Sequence, residues 1–195
     1  MAAQPYSAIR PIASHGARGL IGLGFGVTPQ QPGFTELRDR FLAHYEQHLC
    51  EDTTLFEGVT ALIEALVARG WRWGIVTNKP ARFTDPLVAQ LALPHRPGVI
   101  VSGDTVGVPK PDPRPMQYAA DQLGVATTRC IYVGDAERDI EAGRAVGMRT
   151  VLADYGYISS NDEPEKWGAD LSINSPLALL DLLPETGDYA FTSTT

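Results

Sequence analysis

Short apolar or β-branched runs alternate with helical patterns from Trp71 onward. The strand-like runs are WRWGIVT, GVIVSG, RCIYVG, RTVLAD and a weaker DLSIN. The helical patterns between them are ARFTDPLVAQL, RPMQYAADQLG and ERDIEAGRAVG. Short strands separated by helices are typical of a parallel sheet with helices on both faces. The pattern therefore predicts a doubly wound α/β fold.

Several helix boundaries can be placed from single residues. Asp112 followed by Pro113 predicts an N-cap with proline at the first helical position. Gly124 and Gly147 lie where two of the predicted helices should end, and glycine is the usual residue there.

The chain before Thr54 has a different pattern. Residues 34–49, FTELRDRFLAHYEQHL, place apolar side chains at helical spacing, after a Gly-rich segment of uncertain structure. We predict a separate helical layer over residues 1–53 and an α/β unit over 54–184. Residues 185–195 are polar and aperiodic, which is typical of a flexible tail.

Composition limits the classes of partner. The 195 residues carry a formal net charge of -7, so we expect no nucleic-acid partner. No apolar run approaches the length of a membrane span, and no secretory signal is evident. Cys50 and Cys130 are far apart and outside any metal-binding spacing, which favours reduced thiols in a cytoplasmic protein.

Polar side chains follow three of the predicted strands, where ligands of open α/β sheets bind. Thr77 and Asn78 end the first strand, and Lys110 lies between two prolines after the second. Asp135 closes a third strand, and Asp139 follows one helical turn later. A hydroxyl, an ammonium and two carboxylates at neighbouring strand ends are the groups that metal-assisted phosphoryl transfer requires.

Each of these groups also has a structural interpretation. A Thr-Asn pair after a strand is common in turns, and a lysine between prolines is commonly a solvated loop residue. The two aspartates could complement the positive end of the next helix, worth about 0.3–1 kcal/mol. At i, i+4 they also repel each other by roughly 0.2–0.5 kcal/mol. A bound Mg²⁺ would relieve that repulsion.

Other features favour structural roles. His44 and His48 are one helical turn apart without a metal-binding motif, which indicates an exposed helix face. The segment GLIGLGFG has no strand before it and no GK[ST] after it, which argues against a nucleotide loop. The remaining aromatic candidates, interpreted as packing or loop residues, are Trp71, Trp73, Tyr155 and Tyr157.

The motifs VTNK, KPDP and GDAERD, in this order, resemble the second, third and fourth motifs of the haloacid dehalogenase superfamily. GDAERDIEAGRAVGMRTVLADYGY is similar to its phosphoglycolate phosphatase group, and residues 34–49 resemble part of that group's helical cap. YGYISSNDEPEKWGAD is similar to the bacterial N-acetylmuramic acid 6-phosphate phosphatases. The resemblance covers roughly residues 16–183.

The resemblance implies a Mg²⁺-dependent phosphomonoesterase that forms an aspartyl-phosphate intermediate. Thr77 would donate to a phosphate oxygen with Asn78 beside it, and Lys110 would neutralise the phosphate. Asp135 would bind Mg²⁺, and Asp139 would support it directly or through water. The substrate would be a small phosphorylated metabolite such as 2-phosphoglycolate or N-acetylmuramic acid 6-phosphate. Oligomeric state is left open.

The family's first motif, Asp-x-Asp-Gly-Thr, has no match, since the first aspartate of the sequence is Asp39 on a predicted helix. The resemblance implies that this motif follows a central strand, between those that end at Thr77 and Asp135. We therefore expect an open apolar slot at that place and little activity from this polypeptide. Two explanations stay open: a start assigned too late, and a real fragment.

Two other function classes are considered. Receiver domains of signalling proteins also combine Asp, Thr and Lys-Pro on a doubly wound sheet. Their Lys-Pro lies near the end of the domain, whereas here GDAERD and two further strands follow it. A non-catalytic protein that binds phosphate esters is the remaining alternative.

Overall fold

The computed structural model describes residues 3–185. The predicted tail, residues 185–195, lies outside this range except for Glu185. Five parallel β-strands alternate with helices after residue 70, as the pattern predicts. The α-helices are α1 Tyr6–Ile9, α2 Gly16–Phe25, α3 Phe34–Gln47, α4 Val59–Ala68, α5 Ala81–Gln90, α6 Arg114–Leu123 and α7 Glu137–Ala145. The strands are β1 Ile75–Val76, β2 Ile100–Val101, β3 Ile131–Gly134, β4 Arg149–Ala153 and β5 Leu171–Ile173.

Helices cover both faces of the strands, which confirms the predicted doubly wound α/β class. On one face Met116 of α6 and Ala142 of α7 form a buried cluster. On the other face Val151 of β4 packs with Ile173 and Leu179. Because neighbouring side chains of a strand point to opposite faces, Val151 packs on one side while Thr150 approaches α7 on the other.

The helix boundaries follow local capping chemistry. Oδ1 of Asp112 accepts the Arg114 backbone N–H at 3.0 Å, but α6 begins at Arg114 with Pro113 as its N-cap, one residue later than predicted. Gly124 ends α6 with φ 64°, a left-handed conformation in which glycine has no steric penalty. The Gly-rich segment of uncertain structure is helical and forms α2.

The strands form two separate sheets, a feature of the molecule that bears on its site. Among residues 3–185, β1 pairs with β2 alone, whereas β3, β4 and β5 form a second sheet. Between β1 and β3 lies an apolar cavity of about 310 Å³, bordered by Trp71, Trp73 and Val133. The two sheets therefore face each other across a gap rather than across a hydrogen-bonded ladder.

Side chains, rather than a neighbouring strand, hydrogen-bond the edge of β1 that faces this gap. Ile75 and Thr77 donate their backbone N–H groups to the carbonyls of Val99, just before β2, and Val101, in β2, at 2.9 and 2.8 Å. Because backbone groups alternate in direction along a strand, the Val76 carbonyl faces the other edge. The side chains of Lys110 and Tyr132 donate hydrogen bonds to it.

The N-terminal helices contact the core at specific points. Arg10 donates from its guanidinium to the Tyr155 carbonyl at 3.0 Å, and Arg138 donates to the Ser14 carbonyl at 3.1 Å. Between residues 3 and 185 no helix is long and apolar enough to cross a bilayer.

Candidate active site

The five predicted site residues meet at the carboxyl ends of β1 and β3. Thr77 and Asn78 follow β1, and Asp135 follows β3. Lys110 comes from the loop before α6, and Asp139 lies in the first turn of α7. The geometry thus brings all five to the same edge of the two sheets, where ligands of α/β folds bind.

Lys110 is a buried cation at the centre of this group. Only 6% of its side chain is exposed, and its ammonium lies 2.8 Å from Oδ1 of Asp139. It also donates to the Val76 carbonyl at 2.8 Å and to the Tyr132 hydroxyl at 2.6 Å. The ammonium therefore donates two hydrogen bonds to neutral acceptors and forms an ion pair with one carboxylate.

Burial governs the acid-base properties of this cluster. Removal of Lys110 from water lowers its pKa, against the opposing effect of Asp139. Burial raises the pKa of Tyr132 well above its ordinary value, and the negative charges of Asp139 and Asp135 raise it further. Tyr132 is consequently a neutral phenol, able to donate to the Val76 carbonyl at 3.0 Å.

Asn78 fixes the position of Lys110 through the backbone. Its side-chain N–H donates to the Lys110 carbonyl at 2.8 Å, and its side-chain oxygen accepts the Lys110 N–H at 2.8 Å. Both ends of the amide are thus engaged by the loop. Gly103 allows this close packing, because a Cβ there would lie 2.3 Å from the Asn78 carbonyl oxygen.

The Thr77 hydroxyl proton has no hydrogen-bond acceptor among the described residues. Its Oγ1 accepts the Lys79 backbone N–H at 3.1 Å. A hydroxyl that accepts one hydrogen bond still has a proton to donate. The turn after β1 therefore presents an O–H donor, one residue beyond the Val76 carbonyl that accepts from Lys110.

Two glycines let the aspartates approach their neighbours. A Cβ on Gly134 would lie 2.4 Å from that of Asp139, and one on Gly156 would lie 2.3 Å from that of Asp135. Asp135 is held by the Tyr157 backbone N–H, which donates to Oδ2 at 2.7 Å. Glycine at both positions is required for this close approach.

The carboxylates partly match the requirements of a divalent cation. Oδ1 of Asp139 is buried and, apart from the ion pair with Lys110, has no directed hydrogen bond. Mg²⁺ is commonly held by one or two carboxylates, with water and substrate phosphate completing its shell. No group of three His, Cys, Asp or Glu side chains arranged for a metal occurs among residues 3–185. The carboxylates of Asp135 and Asp139 therefore fit the one or two protein ligands that Mg²⁺ commonly takes.

The structure also contains groups that sequence reasoning missed. Tyr132 lies within an ordinary strand pattern, and nothing in the sequence marks its hydroxyl. Lys79 belongs to the VTNK motif without an assigned role, yet its ammonium hydrogen-bonds the Tyr45 hydroxyl and lies 4.8 Å from that ring's centroid. Only the three-dimensional arrangement brings α3 to the end of β1.

The histidines and tyrosines for which the sequence favours structural roles are exposed or pack against other aromatic rings. His44 and His48 are exposed and face each other along α3. Tyr155 and Tyr157 pack against Phe56, at ring-centroid distances of 5.4 and 5.7 Å. Both cysteines are free thiols.

Comparisons with known proteins agree with the fold and the motifs. Residues 23–153 match the family described as haloacid dehalogenase-like hydrolase. The chain is 39% identical over 175 residues to the N-acetylmuramic acid 6-phosphate phosphatase of Pseudomonas aeruginosa, spanning 90% of this chain and 77% of that protein. It is 40% identical over 168 residues to a phosphoglycolate phosphatase of Xanthomonas campestris pv. campestris, spanning 86% and 76%.

A solved structure shares the fold. The crystal structure described as a predicted phosphoglycolate phosphatase from Haemophilus somnus superposes with a TM-score of 0.77. It covers 92% of this chain and 83% of its own, at 23% sequence identity. At that identity the match concerns the fold alone.

Proposed function

This chain belongs to the haloacid dehalogenase-like hydrolases, as a phosphatase of that family, and from this premise we propose that its site binds a small phosphomonoester together with Mg²⁺. The supporting observation is the placement of Thr77 and Asp135 after β1 and β3, with the Lys110–Asp139 ion pair between the two sheets. We propose 2-phosphoglycolate or N-acetylmuramic acid 6-phosphate as substrate, by analogy with the relatives' names.

Thr77 and Lys110 would hold the phosphate. The Thr77 hydroxyl would donate its free proton to one phosphate oxygen. Lys110 already donates to the Val76 carbonyl and the Tyr132 hydroxyl, so a phosphate would replace one of these two neutral acceptors. This exchange is favourable because a hydrogen bond between two charged groups is roughly twice as strong as a neutral one.

Asn78, Asp135 and Asp139 complete the proposed site. Asn78 would act beside the phosphate by fixing the Lys110 loop. Asp135 would bind Mg²⁺, and Asp139 would support the ion directly or through water. When bound, Mg²⁺ polarises a phosphoryl oxygen and offsets negative charge. Oδ1 of Asp139 is buried and, apart from its ion pair with Lys110, has no directed hydrogen bond, which supports this assignment.

We propose that this polypeptide by itself does not turn over substrate. The family resemblance assigns the nucleophile to an Asp-x-Asp-Gly-Thr motif, and the first aspartate of this sequence is Asp39. Asp39 lies on α3, where it is exposed and pairs with Arg38 at 2.8 Å. Binding of a phosphate ester without hydrolysis is the second candidate function, and the open gap between β1 and β3 favours it for this polypeptide.

We also propose a division of labour along the chain. Residues 1–53 would be part of a cap, and residues 54–184 would form the phosphatase core without its first strand. Two free thiols suit a reducing compartment such as the cytoplasm.

Calorimetric titration tests the proposed site. Wild-type protein should bind 2-phosphoglycolate more tightly with Mg²⁺ than with EDTA, and Thr77→Val should weaken binding about tenfold, the effect of losing one hydrogen bond to a charged group. Asp135→Asn should remove the dependence on Mg²⁺. Absence of binding by folded wild-type protein would refute the site, and hydrolysis that Asp135→Asn abolishes would refute inactivity.

A further inference from the structure

A second cation lies at the edge of the proposed phosphate site. Lys79 directly follows Thr77 and Asn78, and its backbone is held at several points. Its N–H donates to Oγ1 of Thr77 at 3.1 Å, and its carbonyl accepts from Gly103 and from Thr84 at 2.9 and 3.0 Å. The side chain therefore starts from a fixed point beside the site.

The Lys79 ammonium reaches the helical layer. It hydrogen-bonds the hydroxyl of Tyr45 on α3 and lies 4.8 Å from the centroid of that ring. Tyr45 is itself supported by Phe83, at a centroid distance of 5.5 Å, and by Phe41, at 6.3 Å. The ammonium and the hydroxyl thus form a hydrogen-bonded pair between core and helical layer.

This cation lacks a carboxylate partner in the part of the chain that the structure describes. Each of the other two lysines has one: Lys110 pairs with Asp139, and Lys166 pairs with Glu163. Lys79 is half-buried, in a chain with 23 acidic and 16 basic side chains. A half-buried ammonium whose contacts are neutral favours an external anion.

We infer that Lys79 and Tyr45 bind a carboxylate on the substrate, so that the site selects phosphomonoesters with a second anionic group. This inference rests on the proposed function, in which Thr77 and Lys110 hold the phosphate. Phosphoglycolate and N-acetylmuramic acid 6-phosphate, after which the relatives are named, each carry a carboxylate besides the phosphate. An ammonium and a phenol hydroxyl are both donors to such a group.

Lys79 and Tyr45 are not needed for phosphate itself under this assignment. The two ligands that separate the roles are 2-phosphoglycolate and 2-hydroxyethyl phosphate, which are similar in size and differ in the carboxylate. Wild-type protein should bind phosphoglycolate about tenfold or more tightly, the worth of a hydrogen bond between charged groups.

The variants are Lys79→Met and Tyr45→Phe, with Lys166→Met as the matched control on an exposed lysine. By calorimetric titration with Mg²⁺, Lys79→Met should weaken phosphoglycolate binding about tenfold or more and leave hydroxyethyl phosphate unchanged. Tyr45→Phe should have a smaller effect in the same direction, and Lys166→Met none. Circular dichroism melts establish that each variant is folded.

The outcomes separate the two proposals. If wild-type protein binds both ligands equally, or if Lys79→Met weakens both alike, carboxylate selection is wrong and the phosphate site stands. If folded wild-type protein binds neither ligand, both proposals fall. A Lys79→Met variant that unfolds would leave Tyr45→Phe to decide, by whether it alters the ratio of the two affinities.

Discussion

The ammonium of Lys110 and the carboxylate of Asp139 form an ion pair at 2.8 Å with more than nine-tenths of each side chain buried. A charge removed from water is costly unless its partner is present. The pair therefore links α7 to the loop before α6, and each residue depends on the other.

Removal of one charge should destabilise the fold. We expect Lys110→Met to lower the free energy of unfolding by about 3–5 kcal/mol, because the Asp139 carboxylate remains buried without its cation. Urea unfolding followed by circular dichroism measures this. The double variant Lys110→Met/Asp139→Leu should recover part of the loss, and strictly additive losses would show that the pair is not coupled.

The amide of Asn78 should control both the loop and phosphate binding. Asn78→Ala removes two hydrogen bonds to the Lys110 backbone, at a cost of about 1–3 kcal/mol in unfolding free energy. It should also weaken phosphate binding, since Lys110 loses its fixed position. Asn78→Asp keeps the acceptor for the Lys110 N–H but places a charged oxygen against the Lys110 carbonyl, so it should weaken phosphate binding at least as much as Asn78→Ala. Unchanged affinity in Asn78→Ala, measured by titration, would contradict the positioning role.

Gly134 should not tolerate a methyl group. In Gly134→Ala the new Cβ would lie 2.4 Å from the Cβ of Asp139, so β3 or α7 must shift, at a cost of about 1–3 kcal/mol. Gly22 in α2 is the matched control, because nothing lies within 4 Å of its added Cβ. Gly22→Ala should stabilise the protein by roughly 0.5–1 kcal/mol. Chemical unfolding of both variants should give shifts of opposite sign.

Asp170 should contribute stability that depends on pH. The Thr150 backbone N–H at 2.7 Å and hydroxyl at 2.9 Å lower the pKa of Asp170 below its ordinary value of 3.8. Because the folded-state pKa is the lower one, the contribution is present above pH 3.8 and is lost as pH falls through the folded-state value. Between pH 5 and pH 3 the thermal midpoint should fall more steeply in wild type than in Asp170→Asn. Parallel curves for the two proteins would count against this contribution.

The sequence predicts the strands well and the gap between them poorly. Val151 and Ile173 lie in apolar runs bounded by turns, so local pattern is enough to place β4 and β5. Which strands pair with each other depends on contacts between distant residues. The resemblance alone, through the unmatched first motif, pointed to a slot beside Thr77 and Asp135.

The sequence likewise predicts some residues of the candidate site and misses others. Thr77, Lys110 and Asp135 are found because they directly follow predicted strands or lie in short motifs. Tyr132 is different, since a tyrosine in an apolar strand looks like an ordinary packing residue. Its hydroxyl becomes important only because the fold places β3 near β1, where the hydroxyl donates to the Val76 carbonyl. Such a role depends on tertiary distance, which local spacing does not encode.

The absence of a hydrogen-bonded ladder between β1 and β3 has a consequence for how the molecule opens. Amide protons of Ile75 and Thr77 are protected only by β2, whereas those of β4 lie between two neighbouring strands. Native-state deuterium uptake should therefore reveal two cooperative units, with the β1–β2 half exchanging at a lower opening free energy than the β3–β4–β5 half.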